Sequence, residues 1–101
     1  MSSKSDLPSS KKLIWPVIQV LKRGDGLTRK SLIDSQLAQL LDLSPDAISI
    51  RHDKSRAEYE YRSAWALSYG KKAGYFENPI RNHWVLTDKG RQIGIESEIV
   101  L

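Results

Sequence analysis

Two histidines, His52 and His83, and no cysteine stand in this 101-residue chain, so disulfides, thiolate metal sites and a cysteine nucleophile are excluded at once. His52 is followed by Asp53, but no histidine pair recurs at i, i+4 and no zinc-ligand spacing is present. Glu58 and Glu60 are two residues apart, which on a helix turns them to different faces and prevents a shared metal. Gly24-Asp25-Gly26 lacks the pattern of a phosphate-cradling loop. The sequence therefore predicts no catalytic residue, no metal and no cofactor in this chain. Charge is the remaining chemistry. Sixteen Lys and Arg stand against twelve Asp and Glu, a net +4 with a pI near 9.5. Between Arg51 and Arg91 lie nine basic and five acidic residues, whereas the remainder carries seven of each. The positive potential thus belongs to a definable part of the molecule.

The elements that must position those charges can be read from periodicity and caps. Residues 1–8 are small, polar and Pro-terminated, and predict a disordered lead-in to one domain over 9–93, with 94–101 as a tail or truncated linker. Leu13, Val17, Val20 and Leu21 recur at helical spacing, with Pro16 in the first turn, a start near Lys12 and Gly24 as the stop. Asp25-Gly26 makes a turn. Leu27 and Thr28 then read as a hydrophobic staple and an N-cap for a helix over about 29–41, with Leu32, Ile33, Leu37, Leu40 and Leu41 on one face. Ser44-Pro45-Asp46 starts a short helix near 45–49. Ser55 and Glu58 fit a capping box for a longer helix, about 56–73, ended by Gly74. Its apolar stripe centres on Trp65-Tyr69 or on Ala66-Leu67-Ala73, and spacing does not choose between them. Tyr75–Glu77 and His83–Leu86, joined by Asn78–Asn82, read as a β-hairpin, and Thr87-Asp88 caps a last short helix through Gln92. The predicted fold is mainly α with a β-hairpin, a winged helix-turn-helix. No apolar run approaches the roughly 18 residues of a spanning helix, and no secretory h-region opens the chain. A cytoplasmic protein without membrane contact is the expectation.

Trp65-Ala66-Leu67, the Tyr69–Gly74 segment ending Lys71-Lys72-Ala73-Gly74, the aromatic strand after it, and Leu86-Thr87-Asp88-Lys89-Gly90-Arg91 together resemble the Mrr N-terminal domain family over roughly residues 7–92. These are the DNA-reading modules of Mrr-type, modification-dependent restriction endonucleases. The resemblance implies double-stranded DNA as the partner and leaves plain or modified bases open as targets. It also implies a nuclease domain following this module, whereas this chain ends at Leu101. Two departures stand out: Gly70 occupies the usual place of a large aliphatic, and Asn82 replaces the glycine common at the wing turn.

With that resemblance, each candidate residue acquires a role beside a plainer structural one. The helix at about 56–73 would enter the major groove, with Arg56, Tyr59 and Arg62 in its N-terminal half where base edges are read. Arg62 can equally hold a phosphate or Glu58. Arg51, Lys54 and Ser55 before that helix, and Arg29 and Lys30 after Thr28, would bind phosphates or else form solvated loops. Arg81, Asn82 and His83 form the tip of a wing over about 75–86, suited to the backbone or a minor groove or to a simple exposed turn. Trp15, Trp65, Phe76 and Trp84 read as core. An exposed one on the DNA side would offer a stacking surface for a flipped base. The alternative function is protein interaction or homodimerisation through the apolar tail (Ile93, Ile95, Ile99, Val100 and Leu101) or the wing, without direct DNA readout.

Overall fold

The computed structural model describes residues 3–24 and 26–101. Asp25 of the expected turn lies outside the described residues. Among the described residues, five α-helices and a small antiparallel sheet make an α+β fold: α1 (Ile14–Arg23), β1 (Thr28–Arg29), α2 (Lys30–Leu40), α3 (Pro45–Ser49), α4 (Glu58–Lys72), β2 (Phe76–Ile80), β3 (His83–Leu86) and α5 (Asp88–Arg91). The strand order is β1-β3-β2.

α1 is buried along Ile14, Val17, Ile18, Val20 and Leu21, and packs on both α2 and α4. Pro16 is the third residue of α1, where its missing N–H has no intrahelical partner to lose. Ile33 and Leu37 close the core from α2, and Ala66 and Leu67 from α4, with Tyr75, Phe76 and Leu86 supplied by the hairpin region. The register of α4 is thereby decided. Ser63, Ala66, Leu67 and Gly70 face inward, while Trp65 and Tyr69 are exposed, Trp65 at 45%. Trp65 is therefore not a core residue, contrary to its expected place. The Phe76 ring occupies the space beside Gly70, and a Cβ there would lie 2.2 Å from a ring carbon. Close packing of that ring replaces the large aliphatic of the family pattern.

Several caps differ from expectation. Thr28 does not cap α2; it is buried in β1 opposite Trp84, its hydroxyl donating to the Gly26 carbonyl at 3.1 Å, and Arg29 takes the cap position. Leu27 is exposed. Strand β1 itself is two residues long, too short to show a period of two. Ser44 does cap α3, accepting from the Ala47 N–H at 3.1 Å. The Ser55–Glu58 box does not form, because the Asp53 carboxylate takes the Ser55 hydroxyl and N–H. α4 starts instead after Ala57, whose N–H donates to Glu60 at 3.0 Å. At the other end Gly74 lies in the left-handed region, φ 93°, as a helix stop requires. β2 runs on through Ile80 with an irregularity between Glu77 and Ile80, where Pro79 has no N–H to pair. Thr87 accepts from the Gly90 N–H and so caps α5.

Lys4–Asp6 forms a single 3-10 turn and Leu7 is buried. Toward the C-terminus, the Tyr75 hydroxyl bonds the Val100 backbone and Ile99 packs against the core.

Candidate nucleic-acid interface

Three segments meet at the start of α2. The Lys30 N–H donates to the Asn82 carbonyl at 2.7 Å, which ties the hairpin turn to the helix. Arg29 pairs opposite His83 across β1 and β3. Asn82 turns the hairpin at φ 63°, a left-handed angle that asparagine tolerates better than other non-glycine residues. The loop before α4 supplies the third side. Around this junction lies a groove of about 650 Å³ lined by Arg29, Lys30, Ser55, Arg56, Asn82 and His83, with Asp34, Glu60 and Ala64 also contributing. Six of the eleven expected site residues, drawn from positions 29 to 83, thus line one concavity. Arg81 is exposed in the hairpin turn immediately before Asn82.

The electrostatics of this groove are mixed. Arg29 and Arg56 are exposed, and Arg56 lies 4.0 Å from Asp53 and 5.1 Å from the Tyr61 ring. Lys30 is held by Asp34 at 2.5 Å and by the Glu60 carbonyl at 3.2 Å. Burial pushes the Asp34 carboxyl up, against the opposing charge and hydrogen bond of Lys30. The lysine therefore acts first as the partner of a buried acid. At the groove's edge the Asp53 carboxylate accepts from the Ser55 N–H and hydroxyl and from the Arg56 N–H, bonds that hold it below the usual carboxylate range. The same turn aims the Arg56 backbone toward α4.

Four of the expected residues lie elsewhere. Arg51 folds onto its own loop, donating to the Asp53 and Lys54 carbonyls, and neither Arg51 nor Lys54 lines the groove. Tyr59 turns toward a separate groove of about 500 Å³ that also holds Asp34, Asp42 and Glu60, and burial followed by Glu60 and Asp34 raises its hydroxyl. Arg62 is engaged with the molecule itself. Its Nε donates to buried Glu58 at 2.8 Å, and one terminal nitrogen donates to the Leu7 and Pro8 carbonyls at 2.9 and 3.3 Å. The nine bases of the 51–91 stretch therefore do not gather in one patch. Lys89, for example, donates to the Ala73 carbonyl at the far end of α4.

The sequence reading missed the outward face of α4. Tyr61, Ala64, Trp65 and Ser68, with Arg56, line a shallow concavity of about 250 Å³ that shares Arg56 and Ala64 with the basic groove. Aromatic rings run along it: His52 stacks on Tyr61 at 3.5 Å, Tyr61 meets Trp65 edge-on at 6.5 Å, and Trp65 tilts against Tyr69 at 5.6 Å. The available signal was Gly70. Its missing side chain makes room for Phe76, and this turns Ala66 and Leu67 inward and Trp65 outward.

Among the described residues no cluster of His, Asp or Glu is arranged to hold a metal ion, and no helix is long and apolar enough to cross a membrane. The sequence model of the Mrr N-terminal domain matches residues 11–94 of the chain. No curated protein and no solved structure matches it.

Proposed function

The chain belongs to the Mrr N-terminal domain family, and on that premise we propose that it binds double-stranded DNA as a winged helix-turn-helix. In this reading α4 enters the major groove, and the β2–β3 hairpin acts as the wing against the backbone or the minor groove. The chain is the target-recognition domain of an Mrr-type, modification-dependent restriction system, and the nuclease centre is assigned to a separate domain.

One observation carries this reading: the groove in which the start of α2, the loop before α4 and the hairpin turn present Arg29, Arg56, Asn82 and His83 together. Arginines on the rim suit phosphates, and the hairpin turn beside them extends the track. Arg51, Lys54 and Arg81 serve as outer phosphate contacts, exposed on the loops that flank the groove. Arg62 and Tyr59 leave the contact set, because their side chains face other parts of the molecule.

About five phosphate contacts give a log–log slope of affinity against salt near −4 to −5. Fluorescence anisotropy of a labelled duplex, titrated over a range of salt, measures that slope. Arg29→Ala combined with Arg56→Ala should flatten it by about 2. Binding that is absent at low salt, or indifferent to salt, contradicts the proposal. The second reading, association through the apolar C-terminal segment, draws on the exposure of Ile95, Val100 and Leu101. It predicts a dimer in sedimentation that Ile95→Ser converts to monomer.

A further inference from the structure

An arginine that is to hold a phosphate must keep its N–H donors open, and several basic side chains around the start of α4 have spent theirs. Arg62 donates to Glu58 and to the Leu7 and Pro8 carbonyls. Arg51 donates to the Asp53 and Lys54 carbonyls, and Lys30 to Asp34 and the Glu60 carbonyl. Arg56 differs. Its backbone is pinned on both sides, the N–H donating to the Asp53 carboxylate at 2.9 Å and the carbonyl accepting from the His52 N–H at 3.0 Å. Its side chain stands 4.0 Å from the exposed Asp53 carboxylate, a surface pair of little strength. The guanidinium lies over the Tyr61 ring instead, 5.1 Å from the centroid. Contact with a ring face orients a guanidinium and uses none of its in-plane donors.

Tyr61 is itself held. Its ring stacks on His52 with centroids 3.5 Å apart and 10° between the planes. The His52 Nδ1 in turn donates to the buried Glu58 carboxylate at 3.1 Å. We infer that Tyr61 is a positioning residue for DNA: braced by His52 and Glu58, its ring holds the Arg56 guanidinium at the rim of the basic groove with its donors open to a phosphate. The inference rests on the DNA-binding reading and adds what sets the arginine in place. Arg56 lines both the basic groove and the concavity on the outward face of α4, so the ring acts from beside the groove. The aromatic ring carries the role, and the hydroxyl does not.

The test measures duplex affinity against salt for Arg56→Ala, Tyr61→Leu, Tyr61→Phe and the Arg56→Ala, Tyr61→Leu double variant, each where circular dichroism shows it folded. Tyr61→Leu should weaken binding about fivefold and flatten the log–log slope by about 1, as Arg56→Ala does. The double variant should bind no more weakly than Arg56→Ala alone. Tyr61→Phe keeps the ring and should match the natural chain. A loss of fold alone would not reproduce this coupling or this rescue. In the free natural protein, the Arg56 side-chain protons should show a ring-current shift that Tyr61→Phe preserves, a reading that holds whether or not Tyr61→Leu folds. An unchanged slope in Tyr61→Leu, losses that add in the double variant, weakening by Tyr61→Phe, or no ring-current shift overturns the inference and leaves DNA binding standing. A failure to bind any duplex removes both.

Discussion

A guanidinium held by a buried carboxylate and two backbone carbonyls has few donors left to offer a base. This is the position of Arg62, and its partner Glu58 is equally committed. Burial pushes the Glu58 carboxyl up, but the hydrogen bonds from Arg62 and His52, with the charges of Arg62 and Lys4, outweigh it and hold the group below its ordinary value. A carboxyl with a lowered folded value contributes stability that is fully present above its ordinary value of 4.5 and is lost as pH falls below it. Acid unfolding followed by circular dichroism should therefore be less steep below that pH in Glu58→Gln than in the natural chain. Arg62→Ala removes a charged hydrogen bond and two contacts to the segment before α1, and should cost about 2 kcal/mol in urea unfolding. At equal folded fraction its duplex affinity should match that of the natural chain. A tenfold loss there would restore Arg62 to the interface.

At the scale of elements, the packing of α4 on the hairpin decides which residues meet solvent. Gly70 and Phe76 are the critical pair. Gly70→Ala drives a methyl group into the Phe76 ring and should destabilise the fold by about 1–3 kcal/mol, with partial recovery in the Gly70→Ala, Phe76→Leu double variant. Asn82 is a second fixed point. Asn82→Gly should leave stability nearly unchanged, whereas Asn82→Val places a branched side chain at positive φ and should cost about 1–2 kcal/mol. Helix positions were readable wherever a cap had no competitor, as at Ser44 and Thr87. Ser55 failed as a cap because Asp53, two residues earlier, bound the same hydroxyl. Thr28 failed because a strand on the other side of the chain, centred on Trp84, claimed it. The first competition is a short-range side-chain bond and the second a long-range strand pairing, and a hydrophobic periodicity registers neither.

Over the whole molecule, net charge is a poor guide to where basic residues gather, and turn chemistry is a better one. Arg29, Arg56, Asn82 and His83 line one groove, and each stands at a cap, loop or hairpin turn, positions that keep side chains exposed. The outward face of α4 was not legible, since both candidate stripes were apolar and only the fit of Phe76 against Gly70 separates them. On the proposed function, DNA lies across the start of α2, the loop before α4 and the hairpin turn. Addition of a short duplex to isotope-labelled protein shows, by which backbone amides shift, whether it does. Shifts are expected at Arg29, Ser55, Arg56, Ala64, Asn82 and His83, with Asp42, Ile48 and the segment from Ile95 to Leu101 unmoved. Shifts confined to the acidic side near Asp42 or to the C-terminal segment, with the six groove residues silent, would contradict it.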